Sequence, residues 1–135
     1  MLSKKTRYAM VALVYIAREE KKGPVMSTEI ARNENLPQRF LENILLELKK
    51  IGLLGSKAGK TGGYYLAKAP SDISLAEVVR HFEGAVAMLR CVSEKSYQAC
   101  ELCKDELTCK IRRVFKEIRD STFQILSKTT LDQLV

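Results

Sequence analysis

The chain has 135 residues, 46% of them apolar, with 23 Lys and Arg against 16 Asp and Glu and a formal net charge of +7. That is one domain's worth of core, too apolar for a disordered chain. No run of about 18 residues is free of charge, which excludes a spanning helix, and no small-residue cleavage site follows the first apolar run, so a cytoplasmic protein with no membrane partner is expected.

The first predicted helix covers 5–18, where Tyr8, Met10, Val11, Leu13, Val14 and Ile16 leave almost no polar face, so it should be buried on most sides. Gly23 and Pro24 end it. Ser27 is a candidate N-cap for a short second helix through Ile30 and Ala31. A break at 33–36 follows, and Pro37 suits the first position of a third helix. Leu41, Ile44, Leu45, Leu48 and Ile51 give that helix one apolar stripe, with Gly52 as its stop signal. Leu53 and Leu54, a Gly- and Lys-rich stretch, then Tyr64, Tyr65 and Leu66 read as a β-hairpin with a long loop.

Helix, short helix, turn, helix and hairpin is the layout of a winged helix-turn-helix, whose second paired helix enters the major groove while the hairpin lies against the flanking backbone. The charge agrees. Residues 1–66 hold 12 basic and 6 acidic side chains, and 67–135 hold 11 and 10. Between 49 and 68 there are five lysines and no acid, which suits a polyanion. Residues 55–61 end in Gly-Lys-Thr, but the first glycine of a phosphate-binding loop would have to stand at Leu54, and a helix precedes where that loop needs a strand.

Beyond the hairpin, Ser74 and Glu77 form a capping box and Ile73 and Val78 a hydrophobic staple, which predicts a helix from Leu75 to about Phe82. From Leu107 onward, Leu107, Ile111, Val114, Phe115, Ile118, Ile125 and Leu126 mark a long amphipathic helix. Its apolar face exceeds what a domain of this size covers, so a helix from a second copy is the expected partner. The four cysteines are spaced Cys91-x8-Cys100-x2-Cys103-x5-Cys109. Clustered thiols in a reducing compartment read as a metal or redox site rather than a disulfide framework. Iron–sulfur and zinc both suit thiolate ligands, and uncoordinated thiols are the alternative. His81 stands alone, and no nucleophile and base occur together, so neither an enzyme nor a small-molecule substrate is expected.

In combination these motifs resemble the Rrf-type winged-helix transcription regulators. The matching residues are Arg7-Tyr8-Ala9, Phe40-Leu41-Glu42, Leu48-Lys49-Lys50-Ile51-Gly52-Leu53, Gly59, Gly62-Gly63-Tyr64-Tyr65-Leu66, Glu77-Val78-Val79, Arg90-Cys91, Thr130-Leu131 and Leu134-Val135. The resemblance spans essentially the whole chain. It implies a homodimer joined through the long C-terminal helices, binding a roughly palindromic double-stranded operator, with the cysteine segment as sensor. Cluster-binding members carry three cysteines, matched here by Cys91, Cys103 and Cys109. Where some members have a histidine ligand this chain has Arg112, and the wing arginine is replaced by Ala58. Cys100 is extra, and the simplest resolution makes Cys91, Cys100, Cys103 and Cys109 one ligand set for a 2Fe–2S or 4Fe–4S cluster.

The expected fold is therefore mostly α with a small β-hairpin wing: a winged helix-turn-helix over 1–66, then 67–135 with a helix, a cysteine-rich sensor loop (91–109) and a long dimerisation helix, in one compact domain. Arg39, Phe40, Glu42 and Asn43 are the expected groove-facing residues. Ser27, Gln38, Lys57, Lys60 and Tyr64 are the expected backbone contacts, which fix register without reading sequence. The expected function is a transcription regulator, in the first instance a repressor, that senses redox, iron–sulfur or nitric oxide status through the cluster. The rival readings are a regulator of the same fold working by thiol chemistry, and an iron–sulfur carrier that binds no DNA.

Overall fold

The computed structural model describes residues 2–135. Helix α1 (Lys4–Arg18) starts where the Ser3 hydroxyl accepts the Thr6 N–H at 3.2 Å. Ala9, Ala12, Leu13 and Ile16 are fully or almost fully buried on it, and the two alanines let neighbouring helices approach closely. It packs against α3 (Gln38–Lys50) on one side and α4 (Leu75–Glu83) on the other.

Helix α2 (Ser27–Asn33) is only two turns long and is held to α1 by polar contacts as well as by Ile30. The Tyr15 hydroxyl donates to Glu29 at 2.9 Å and accepts from the Asn33 amide at 2.6 Å. Burial pushes the Tyr15 phenol above its usual range, and the Glu29 carboxylate adds to that, so its proton stays in place to make the bond. Asn35, at φ +53°, turns the chain into α3. On α3 Leu41, Ile44, Leu45 and Leu48 are completely buried, each side chain contributing roughly 2 kcal/mol by removal from water. The helix ends in a Schellman motif, with Gly52 N–H bonded to the Lys49 carbonyl at 3.1 Å and Leu53 N–H to Leu48 at 3.0 Å. Gly52 supplies the positive φ of +85° that this ending needs.

Strands β1 (Leu54–Lys57) and β2 (Gly63–Leu66) form the antiparallel hairpin, with Leu54 opposite Leu66 and Lys57 opposite Gly63. Val25, just before α2, pairs with Tyr64 through two bonds of 2.8 and 2.7 Å. The wing is therefore fastened to the helix-turn-helix unit by backbone. A Cβ on Gly63 would stand 2.4 Å from the Val25 carbonyl, at a φ of +138°, so only glycine admits this approach.

Helix α4 carries the capping box, with Ser74 and Glu77 each bonded to the other's backbone N–H. Ile73 and Val78 are both fully buried. Helix α5 (Lys110–Lys128) is the long C-terminal helix. After it the chain returns to pair Thr130 with Ser74 and inserts Leu131, fully buried, into the same core as α1 and α3.

Three local expectations are corrected. Met26 occupies the cap position of α2, so Ser27 is its first helical residue and makes no cap bond. Its hydroxyl is engaged by side chains of α3 instead. Pro37 is the residue before α3 rather than its first, because its extended ψ of 121° places the helix start at Gln38. The long helix begins at Lys110, not Leu107, because the Cys109 thiol caps it by accepting the Arg112 N–H at 3.4 Å.

Glu83 at the end of α4 ties down the start of α1. It accepts the Thr6 hydroxyl and the Ser3 backbone N–H, the latter at 2.8 Å. These donors favour the carboxylate, and the Glu83 carboxyl is held below its ordinary value. Its contribution is therefore complete above the unfolded-state value near pH 4.3 and is lost as pH falls through the lower folded one. Glu83→Gln should lower stability at pH 7 by no more than about 1 kcal/mol, since the carboxylate is largely solvated. Urea denaturation should show that gap closing below about pH 4; a gap of equal size at pH 3 would contradict it.

Candidate DNA-binding face and cysteine segment

Burial of one stripe of α3 leaves the opposite edge free. Arg39, Glu42 and Asn43 are exposed on it, followed by Leu46, Lys49 and Lys50. Such a row, spaced three and four apart, is one continuous helix face. Phe40 is placed differently from Arg39, Glu42 and Asn43. It is half-buried, and its ring packs edge-on against Tyr8 with centroids 5.7 Å apart, so it helps to seat α3 on α1.

Beside this edge, Gln38 donates through Nε2 to the Ser27 hydroxyl and to the Glu42 carboxylate, both at 2.9 Å. Ser27 itself donates to Glu42 at 3.4 Å. Two of the five residues expected to touch backbone phosphates are thus brought onto Glu42. Tyr64 is half-buried, and burial followed by the Glu42 charge pushes its phenol above the usual range. Lys57 and Lys60 are fully solvated at the far end of the hairpin, around Gly59 at φ +104°. Lys49 reaches back to Ser56 on β1 at 2.6 Å. The α3 edge and the wing therefore form one cationic surface interrupted by a single held carboxylate, Glu42.

The second region is residues 91–109. Cys91 and Val92 are buried in a short helical turn at Arg90–Val92. From 94 to 109 there are only turns, and Cys100 is exposed. Desolvation and then the neighbouring Cys109 thiol push the Cys103 thiol above its usual range, with a smaller push from Cys100. Cys109 caps α5 by accepting the Arg112 N–H. Among the described residues no three Cys, His, Asp or Glu side chains stand together as a metal site. The donor set is thus soft and confined to one short segment, and it is not gathered into a single site.

Sequence reasoning gave two residues here no structural role. Arg112 donates through Nε to the Cys91 carbonyl at 3.3 Å, and Arg119 through Nη1 to the Val92 carbonyl at 2.6 Å. They stand seven residues apart on α5, so one helix face holds both carbonyls of the buried cysteine turn. Their spacing, off the apolar stripe, was the available clue. The other face of α5 carries Ile111, Val114, Ile118 and Ile125, all exposed, and no residue of the helix is buried.

The family model described as Rrf2, iron-dependent transcriptional regulator, matches residues 2–135. A Rhodobacter capsulatus protein described as an rrf2-like HTH-type transcriptional regulator is 42% identical over 138 residues, covering 100% of this chain and 92% of its own. The HTH-type transcriptional regulator IscR of Escherichia coli is 31% identical across 99% of this chain and 79% of its own. Among solved structures, CymR, the global cysteine regulator of Bacillus subtilis, superposes with a TM-score of 0.83 at 28% identity, covering 99% of this chain and 95% of its own. The winged-helix fold expected from the sequence is the fold these neighbours have.

If the wing lies on the backbone, replacing Lys57 and Lys60 together with Ala should weaken binding to every duplex alike. The slope of log affinity against log salt should flatten by about 1 to 2. Filter binding of unrelated duplexes between low and moderate salt measures this, and an unchanged slope would place the wing away from DNA.

Proposed function

Because the chain belongs to the Rrf2 family of transcriptional regulators, we propose that it acts as a homodimer whose α3 edges enter successive major grooves of double-stranded DNA, governed by the cysteine segment. The observation that carries the DNA reading is the joining of α3 and the wing into one surface by the Val25–Tyr64 backbone pair. Arg39, Glu42 and Asn43 are assigned to base edges, and Lys57 and Lys60 to phosphates. Phe40 supports the reader from behind.

The second copy is argued from α5. A helix of 19 residues with no buried side chain gains little from packing within its own subunit, and short isolated helices are marginal in water. Phe115, Phe123 and Leu126 face the body of the protein, where Arg80 lies 4.1 Å over the Phe123 ring. The stripe of Ile111, Val114, Ile118 and Ile125 faces away from it. Two such stripes packed together would cover both, which is the isologous contact of a twofold dimer.

For the sensor, Cys91, Cys100, Cys103 and Cys109 are assigned to one thiolate set, completed once the turns between them close. Bound there, an iron–sulfur cluster would supply a centre whose oxidation or nitrosylation changes the bonding of these four thiolates. The chain's own part is transmission. Cys109 caps α5, and Arg112 and Arg119 grip the carbonyls of residues 91 and 92. Any change in the order of the segment is thereby felt along the helix that sets the separation of the two reader helices.

Anaerobic purification should yield coloured protein with iron and acid-labile sulfide in equal amounts. Cys103→Ser or Cys109→Ser should remove both iron and colour, and colourless wild-type protein that takes up no iron would overturn the cluster reading. Sedimentation should give wild type a mass of twice 15.2 kDa, and Ile118→Glu should shift it toward the single-chain value. A wild-type monomer would remove the dimer.

A further inference from the structure

The Ser27, Gln38 and Glu42 side chains form a closed triangle on the exposed edge of α3, and its effect is to fix a carboxylate. Gln38 precedes Glu42 by one helical turn, and both its side-chain bonds, to Ser27 Oγ and Glu42 Oε1, are 2.9 Å long. The Ser27 hydroxyl adds a third contact to the same Oε1 at 3.4 Å. Ser27 belongs to α2, so the triangle crosses the turn of the helix-turn-helix unit. Oε1 takes both donors, while Oε2 has no hydrogen-bond partner among the described residues. No Lys or Arg lies within salt-bridge distance of Glu42 among them either. An exposed glutamate ordinarily spreads over many rotamers, and ordering it costs side-chain entropy.

We propose that Gln38, anchored on Ser27, is a positioning residue that presents Glu42 Oε2 to the major groove in one orientation, and that it thereby determines specificity at one base pair of each half-site. This rests on the DNA-binding reading above. The chemistry of the selected pair follows from the group presented. A carboxylate only accepts, so it is matched by the exocyclic amino group of cytosine. It is opposed by the acceptor edges of guanine and thymine, and at adenine by the acceptor beside the amino donor. Discrimination of this kind depends on direction. Held by Gln38, the carboxylate meets one base edge; released, it can swing to amino groups of adjacent steps and the preference spreads. Gln38 and Ser27 are then not spare donors for phosphate, since their side-chain hydrogens are committed within the triangle.

The test is selection by the full-length protein from a pool of randomised duplexes, with base preference read position by position for wild type, Glu42→Ala, Gln38→Leu and Ser27→Ala. Retention of unrelated duplexes is followed against salt in parallel. Glu42→Ala should abolish preference at one pair per half-site. Gln38→Leu, which keeps the bulk of the side chain but not its donors, should weaken preference at that same pair on the order of ten-fold, and Ser27→Ala should do so less. Preferences elsewhere and the salt slope should not move. Ser27→Thr, which retains the hydroxyl, should restore the wild-type profile. A Gln38→Leu profile identical to wild type would overturn the proposal. So would an even loss across all positions, or a flattened salt slope, because each marks a phosphate or packing role. Failure of the underlying reading looks different: wild type would enrich no sequence and retain no duplex at low salt, and the proposal would fall with it.

Discussion

The exposed edge of α3 and the wing both depend on the seating of α3. Four of its thirteen residues, Leu41, Ile44, Leu45 and Leu48, have no exposed surface, so rotation of the helix about its axis would expose leucines and bury charge. That cost fixes which residues face outward. Arg39, Glu42 and Asn43 owe their direction to the opposite face, and Phe40 on Tyr8 braces the flank between. The wing inherits the same frame, because Val25 joins Tyr64 through backbone bonds on which no side-chain rotamer acts. A protein that must match a rigid duplex benefits from this arrangement, since side-chain entropy need be spent only on the contacts themselves.

The C-terminal half is built on an opposite principle. Its long helix has no buried residue, and between Ser93 and Lys110 there is no helix or strand. The segment's residues from 94 to 102 are all exposed, and polar contacts hold it: Arg112 and Arg119 on the carbonyls of residues 91 and 92, Arg90 with Gln98, and the Cys109 cap. Little burial means a low free energy of local opening. The sensing role proposed for it needs this, because a signal can redistribute only states that lie close in energy. The return of the chain to Ser74 and the burial of Leu131 close the core on the far side, so loosening around the cysteines need not loosen the reader.

The sequence disclosed most where a single residue type settles the local backbone. Gly52, Pro37 and the Ser74–Glu77 box mark ends within one residue of where the structure has them, because capping and positive φ are local chemistry. The stripes of α3 and α5 were readable from spacing, and the cysteines from clustering alone. What stayed hidden joins residues far apart in the chain. Tyr15 with Asn33 and Glu29, Glu83 with Ser3 and Thr6, and Arg119 with Val92 are polar contacts over 14 to 80 positions, and spacing says nothing about them. Ser27 shows how a sound local rule loses: a serine before a helix is a good cap, but with Gln38 and Glu42 across the turn its hydroxyl does better there.

That substitution of roles bears on how such a surface gains specificity. A cationic face of lysines binds any duplex, and adding more lysines raises affinity without choosing a sequence. A carboxylate on that face opposes the phosphates, so its presence lowers general affinity and is useful only if it refuses wrong bases more than it refuses right ones. For that it must be held. The bonds from Gln38 and Ser27 draw charge from one oxygen and fix the direction of the other, which reduces the general cost and sharpens the local one. Glu42 is thus the one acidic side chain for which the exposed edge of α3 supplies a dedicated support, and the stiffness of the helix pair beneath it is what makes that support effective.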